Sequence, residues 1–202
     1  MTTATRYAIV GSGNIGTALA RLFARAGLEV SIANTRGPES IRQLAASIGT
    51  AVHAVELNEA LNSDVIIMAI PFDAVEQFGT SLLDWTGKIV IDTTNAYYTP
   101  NADDILQGRL SAQYTAEQLP GAKVVKAFNQ LPANTLAAEL EPKAGRRVTF
   151  IATDFPQAGD QIADLVDHLG LAAVQVGRIS EGGRLIQAPN ALVLRNLIER
   201  PL

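Results

Sequence analysis

Short apolar runs alternate with stretches of helical periodicity over the first half of the chain. Strand composition is found at residues 7–10, 29–33, 50–54, 64–70 and 88–92. Helices are predicted directly after the first strand and over residues 37–48, 55–61 and 73–83. The strand at 64–70 contains a continuous apolar run after Asp64, which indicates burial on both faces. Five alternations of strand and helix predict an α/β fold, a doubly wound, mainly parallel sheet with helices on both faces.

The pattern continues less regularly in the second half. Residues 93–108 are polar and predicted to be irregular, and the remaining elements are helices at 111–119, 156–169 and 183–199 and strands at 122–126, 147–152 and 172–176. We therefore expect a single dinucleotide-binding domain over 1–202. Its Rossmann core would cover 1–120, and a small C-terminal extension of strands and helices, 121–202, would pack on the same sheet.

A glycine-rich turn separates the first predicted strand from the first predicted helix. It reads Gly11-Ser12-Gly13-Asn14-Ile15-Gly16, a G-x-G-x-x-G motif. In this setting the first glycine permits the tight turn, the second admits a pyrophosphate and the third lets the helix pack on the sheet. The alternative, a structural turn without a ligand, is disfavoured because a strand precedes the motif and a helix with a Gly27 stop follows it.

The residues after the second predicted strand indicate which dinucleotide binds. An NAD-binding chain usually has an Asp or Glu here for the ribose 2′-hydroxyl, whereas this chain has Asn34-Thr35-Arg36. A guanidinium binds phosphate oxygens in a fork, and hydroxyl and amide groups donate to them. The segment therefore predicts NADP, with a solvated loop arginine as the alternative.

Three further strand ends meet at the same edge of the predicted sheet, where a ligand binds in this fold. The first carries Ala69-Ile70-Pro71, an apolar wall that would help exclude water from a hydride path. The others carry Asn95 and the pair Phe128-Asn129. Lys126 lies beside the last of these, and we expect its ammonium to reach solvent.

The composition argues against several classes of function. The 202 residues are 48% hydrophobic and 18% charged, and the net charge of −4 provides no basic surface for nucleic acid. There is no cysteine, hence no disulfide and no thiolate nucleophile, and neither a catalytic dyad nor a metal cluster is evident. Residues 1–6 are polar and leave no room for a signal peptide's apolar segment, and no apolar run approaches the ~18 residues of a membrane span, so we expect a cytoplasmic protein without a membrane partner.

The chain resembles a known family, the NADPH-dependent reductases of the deazaflavin coenzyme F-420, together with the related cytoplasmic reductase domain of the six-transmembrane metalloreductases. The resemblance rests on the glycine motif, Ala69-Ile70-Pro71, the run 88–92, the run 125–129 and Gly177-Arg178-Ile179-Ser180. It implies that Ser12 to Ile15 contact pyrophosphate and ribose and that Thr35-Arg36 hold the 2′-phosphate. It further implies that Ile70 and Pro71 contact the nicotinamide, while Asn95, Phe128 and Asn129 lie beside a second ring system.

The same resemblance implies hydride transfer between NADPH and a flavin- or deazaflavin-type acceptor. Such a reaction needs orientation more than acid–base help, because the two ring systems carry the chemistry. At Thr93-Thr94-Asn95 and Phe128-Asn129 the chain is more similar to the metalloreductase domain, whose acceptor is a flavin. Two alternatives stay open: an NADPH-binding sensor without an acceptor, and a small carbonyl or imine reductase whose pocket a second subunit of a homodimer completes.

Overall fold

A computed structural model of the chain describes residues 4–141 and 143–200. Its strands all join one sheet. They are β1 (Tyr7–Val10), β2 (Val30–Ala33), β3 (Val52–Ala54), β4 (Val65–Met68), β5 (Ile89–Asp92), β6 (Lys123–Lys126), β7 (Arg146–Thr153), β8 (Ala172–Gln175) and β9 (Ile198–Glu199). The order across the sheet is β3-β2-β1-β4-β5-β6-β7-β8, with β9 paired to β7.

Helices connect the strands and cover both faces of the sheet. They are α1 (Asn14–Ala26), α2 (Arg42–Ile48), α3 (Leu57–Ala60), α4 (Val75–Gly79), α5 (Ala102–Leu106), α6 (Ser111–Gln118), α7 (Ala133–Ala137), α8 (Pro156–His168) and α9 (Gly182–Ile186). Apolar residues of α1, α2, α7 and α8 form a core on one face of the sheet. Residues of α3, α4, α5 and α6 form a second core on the other face.

The first six strands run parallel, as the alternation of apolar and helical segments predicts. Each of the pairs β3–β2, β2–β1, β1–β4, β4–β5 and β5–β6 is parallel. All four residues of β4 are buried. β7 lies antiparallel to β6 and parallel to β8. β7 and β8 therefore extend the same sheet but run opposite to the first six strands. The predicted fold, a doubly wound and mainly parallel sheet, is confirmed.

The final helix predicted over residues 183–199 is wrong. Helix α9 ends at Ile186, and Gln187 already has extended backbone geometry. Proline lacks the N–H that a helix interior needs, and it disfavours helical geometry in the residue before it, so Pro189 prevents a continuation. The chain then crosses to the loop after β6, where the Leu194 N–H donates to the Gln130 carbonyl oxygen at 2.7 Å, before it forms β9.

Two smaller differences concern the middle of the chain. The helix predicted over 73–83 is a short 3₁₀ turn, Phe72–Ala74, followed by α4, which ends at Gly79. The segment predicted to be irregular, 93–108, contains α5 and a 3₁₀ turn at Ala96–Tyr98. α4 and α5 have only five residues each. A periodicity of 3.6 residues cannot reveal the bounds of helices this short in the sequence.

Candidate functional site

The glycine motif forms the turn between β1 and α1, and two of its glycines are fixed by close packing. Gly11 has a φ of +110°, and a Cβ there would lie 2.1 Å from the carbonyl oxygen of Ala69 at the end of β4. A Cβ on Gly16 would lie 1.9 Å from the carbonyl oxygen of Gly11. Neither position can take a side chain without a shift of the backbone. Gly11 and Gly16 are therefore required for the backbone conformation of the turn.

Gly13 has a different environment. A Cβ at this position would meet no atom within 4 Å. Gly13 is also the N-cap of α1. No side chain forms a capping hydrogen bond at this end of the helix, and the first turn contains no acidic residue. The first N–H groups of a helix have no partner within the helix, and they carry the positive end of its dipole. The open space and uncapped N–H groups fit a pyrophosphate.

Asn34, at the end of β2, lies where a ribose-binding carboxylate stands in NAD-dependent chains. Its Nδ2 donates to Ser12 Oγ at 3.0 Å and to Ser40 Oγ at 3.0 Å. Its Oδ1 accepts from the Arg36 backbone N–H at 2.9 Å. The amide thus connects the glycine turn to the loop after β2, a link that no pattern in the sequence predicts.

Arg36 is exposed and forms no ion pair with any residue between 4 and 141 or 143 and 200. The nearest acid along the loop, Glu39, pairs with Arg42. Because a guanidinium keeps its charge at all ordinary pH values, Arg36 is a cation available to a ligand. Thr35, its neighbour, is exposed as well.

The ends of β5 and β6 are joined by a pair of asparagines. Asn95 Nδ2 donates to the Asn129 carbonyl oxygen at 2.7 Å, and Asn129 Nδ2 donates to Asn95 Oδ1 at 3.1 Å and to the Ile186 carbonyl oxygen at 2.6 Å. Asn129 is buried, and its Oδ1 accepts no hydrogen bond from the part of the chain that the structure describes. A buried acceptor of this kind normally has a partner.

The other candidates at this edge differ in accessibility. Pro71 is exposed and Ile70 is half-buried, so both can contact a ligand at the end of β4. Phe128 is 1% exposed, and its ring packs in the core on the α1 face. Its φ of 59° turns the backbone after β6. Any contact from Phe128 to a ligand would therefore come from its backbone, and its proposed role stays a prediction.

The expectation that Lys126 reaches solvent is wrong. Its side chain is 1% exposed, and its Nζ donates to Asp92 Oδ2 at 3.1 Å and to the Thr94 carbonyl oxygen at 2.5 Å. Burial lowers the pKa of Lys126, and the Asp92 carboxylate opposes that shift. The end of β5 and the loop after it enclose the ammonium, since Asp92 and Thr94 accept its hydrogen bonds.

Asp92 carries further hydrogen bonds to the same loop. Its Oδ1 accepts from the Thr94 N–H at 2.8 Å and from Thr94 Oγ1 at 2.7 Å, and its Oδ2 accepts from Thr115 Oγ1 at 3.1 Å. The buried pair thus holds the loop that leads to Asn95. The sequence gives one indication of this ion pair: Asp92 and Lys126 are charged residues of opposite sign at the ends of two neighbouring strands.

Comparison with known proteins finds a family model that matches the first part of the chain. The model described as NADP oxidoreductase, coenzyme F420-dependent, matches residues 6–96. That stretch includes the glycine motif, the Asn34–Arg36 loop and the ends of β4 and β5. A crystal structure of a hypothetical protein, SMa0349 from Sinorhizobium meliloti, has 43% identity with a TM-score of 0.91, over 97% of this chain and 96% of that one. Over residues 6–96 the chain is similar to this oxidoreductase family.

Two more distant proteins are also similar to this chain. Metalloreductase STEAP3 of Rattus norvegicus is 28% identical over 192 residues, which are 94% of this chain and 37% of that protein. The chain therefore spans about a third of that relative's length. A structure from Arthrobacter sp. FB24, provisionally described as an F420-dependent NADP-reductase, shares the fold at a TM-score of 0.69 and 21% identity, covering 88% of this chain and 86% of that one.

Membrane-spanning and metal-binding features are both missing from the described part of the chain. No helix among residues 4–141 and 143–200 combines the length and apolar character needed to cross a bilayer. Over the same ranges, no group of three or more His, Asp or Glu side chains is arranged to hold a metal ion.

Proposed function

We propose that this protein binds NADP(H) along the carboxyl ends of β2, β1, β4 and β5 and transfers hydride between it and a flavin- or deazaflavin-type acceptor. The observation that carries the NADP part is the end of β2. There an amide, Asn34, replaces the usual acid, and Arg36 is a cation without an ion pair among the described residues. A 2′-phosphate would supply the missing anion.

Each part of the dinucleotide has a proposed set of contacts. The backbone of Ser12 to Ile15 holds the pyrophosphate, with Gly13 leaving room for it. Asn34, Thr35 and Arg36 hold the 2′-phosphate. The nicotinamide end lies against Ala69, Ile70, Pro71 and Asn95, beside the loop that carries Phe128 and Asn129.

The chain's own residues supply orientation and an apolar surface in this proposal. When bound, NADPH supplies the hydride. Ile70 and Pro71 present carbon atoms rather than water or polar groups to the reacting ring, and the Asn95–Asn129 pair fixes the loops on either side of it. No acid or base is required of the protein, in keeping with a cofactor-borne reaction.

The acceptor type is supported by the match to the family model and by the names of the relatives. The family description includes coenzyme F420, and the curated relatives are metalloreductases. A flavin or deazaflavin suits an edge that offers apolar contacts and amide hydrogen bonds. A cytoplasmic location and a single domain over 1–202 belong to this proposal as well.

Equilibrium titration and acceptor reduction together test the proposal. Binding of NADPH and NADH is measured by calorimetry, and loss of NADPH absorbance is then followed with FMN, FAD, a deazaflavin, quinones and ferric chelates. We expect tighter binding of NADPH than NADH and turnover with the flavins or the deazaflavin. Tight NADPH binding without reduction of any acceptor would replace the proposal with an NADPH sensor, and turnover only with small carbonyls or imines would replace it with that reductase class.

A further inference from the structure

The amide of Asn34, at the end of β2, is fully used by hydrogen bonds within the protein. The Arg36 backbone N–H donates to its Oδ1 at 2.9 Å, which fixes the orientation of the amide because only the oxygen can accept. The Nδ2 therefore lies on the other side, where it donates to Ser12 Oγ and to Ser40 Oγ, each at 3.0 Å. An amide nitrogen has two protons, so none is left to bind a ligand directly.

The two serine hydroxyls differ in the use of their own protons. Ser40 Oγ donates to the Gly37 carbonyl oxygen at 2.7 Å, with Asn34 Oδ1 as a more distant acceptor at 3.2 Å. Ser12 Oγ accepts from Asn34, but it donates to no group in the part of the chain that the structure describes. Ser12 is half-buried and adjoins the open space at Gly13. A ligand at the turn can therefore accept the Ser12 proton.

The position of Ser12 Oγ indicates which part of the ligand accepts that proton. In chains that bind NAD, the residue at the end of the second strand holds the ribose 2′-hydroxyl. Asn34 occupies that place, and Ser12 Oγ lies 3.0 Å from its Nδ2. A phosphate on the same ribose oxygen would therefore lie beside the Ser12 hydroxyl. It would accept from a neutral donor as well as from the Arg36 guanidinium.

We propose that Asn34 is a positioning residue for NADPH: its amide turns the Ser12 hydroxyl outward as a donor to the 2′-phosphate and holds the backbone that carries Arg36. The inference rests on the proposed function, because it assumes a 2′-phosphate at the end of β2. It adds that the preference for NADPH depends on the direction of one hydroxyl proton. Asn34 contributes to the phosphate site through Ser12 and Arg36 and makes no contact of its own.

A carboxylate in place of the Asn34 amide would reverse the Ser12 hydroxyl. In Asn34→Asp, one oxygen can still accept from the Arg36 N–H, while the other replaces Nδ2 and faces Ser12 Oγ. An ionised carboxylate only accepts hydrogen bonds, so the Ser12 proton would turn toward it and away from the ligand. The new charge would also repel a 2′-phosphate, whereas it could accept from the 2′-hydroxyl of NADH.

A double-mutant cycle between Ser12 and Asn34 tests this role, with NADPH and NADH titrated into the full chain by calorimetry. Ser12→Ala should weaken NADPH binding about tenfold and leave NADH binding unchanged, because one hydrogen bond to a charged group is lost. Asn34→Asp should weaken NADPH binding about 100-fold and should not weaken NADH binding. Adding Ser12→Ala to Asn34→Asp should cause no further loss of NADPH affinity, because the hydroxyl no longer faces the phosphate. Charge repulsion alone predicts the full additional loss.

Asn62→Asp is the matched control. Asn62 is exposed and precedes β4, at the edge of the sheet opposite the carboxyl ends, so the same added charge should keep the preference for NADPH. Additive losses in the double variant would overturn the inference. So would Ser12→Ala if it left NADPH affinity unchanged or weakened both dinucleotides equally, and this variant decides the matter even if Asn34→Asp does not fold. These results leave the proposed function standing, whereas equal affinity of the wild-type protein for NADPH and NADH would contradict the proposed function itself.

Discussion

The three glycines of the turn have different roles at the scale of single residues. Gly11 and Gly16 are enclosed by backbone atoms, and Gly13 is open to solvent. The sequence motif predicts all three roles, but it cannot show which glycine is needed for folding and which only for a ligand. That distinction depends on the approach of Ala69, which comes from a strand far away in the sequence.

Gly13→Ala should therefore separate binding from folding. Its φ of −74° suits any residue, and the new methyl meets no protein atom, so the free energy of unfolding should change by less than about 1 kcal/mol. NADPH affinity should fall about tenfold or more, because the methyl occupies the space proposed for the pyrophosphate. Urea unfolding and calorimetry measure the two effects.

Gly11→Ala provides the contrast. A Cβ 2.1 Å from the Ala69 carbonyl oxygen requires the backbone to move, so this variant should lose stability as well as binding. If Gly13→Ala bound NADPH like the wild-type protein, the pyrophosphate would lie elsewhere.

Arg36→Ala tests the choice between NADPH and NADH. The variant should bind NADPH about 10- to 100-fold more weakly, since it loses charge-assisted contacts of about 1.5–3 kcal/mol, and NADH affinity should stay the same. Arg42→Ala is the matched control, because Arg42 belongs to the same region but pairs with Glu39. Equal losses for both dinucleotides would show that Arg36 has no contact with a 2′-phosphate.

At the scale of elements, the loops after β5 and β6 are the part of the site that sequence reasoning described least well. It predicted that Asn95 and Phe128-Asn129 meet at one edge, and Asn95 and Asn129 are indeed bonded to each other. It missed the burial of the Phe128 ring and of Lys126. Both depend on contacts between segments far apart in the sequence: Lys126 bonds to Asp92 and Thr94, and Phe128 packs in the core on the α1 face.

The buried pair between β5 and β6 leads to a prediction about stability. Lys126→Met should destabilise the fold by about 3–5 kcal/mol, because it leaves the Asp92 charge buried without its partner. Asp92→Asn combined with Lys126→Met should cost clearly less, since no charge then remains and the introduced amide oxygen can still accept from Thr94. Urea unfolding of the two variants gives the comparison. A double variant as unstable as the single one would mean that the ion pair itself stabilises the fold.

At the scale of the whole molecule, the alternation of strands and helices and the parallel core follow from patterns visible in the sequence. Apolar runs alternate with segments of helical periodicity over about ninety residues. Local signals agree with this pattern, as Gly27 does at the end of the first helix. The region after β6 is different. Its chain path depends on hydrogen bonds between distant segments, such as Leu194 with Gln130, which no local pattern encodes.

The class predicted from the sequence, an NADP-dependent oxidoreductase, is confirmed by the match to the NADP oxidoreductase family model and by the reductase relatives. The roles of the site residues and the identity of the acceptor stay proposals. Both depend on one central claim about the reaction. Hydride passes directly from the nicotinamide at the ends of β4 and β5 to a flavin-type ring held against the same edge.

Transfer of deuterium from C4 of NADPH to 5-deazariboflavin tests that claim most directly. Hydrogen at C5 of a reduced deazaflavin does not exchange with water, so the label records the path of the hydride. With NADPH deuterated stereospecifically at C4, we expect full label at C5 for one of the two epimers and none for the other. NADPH oxidation without label at C5 from either epimer, or no oxidation by the NADPH-saturated protein, would contradict the account.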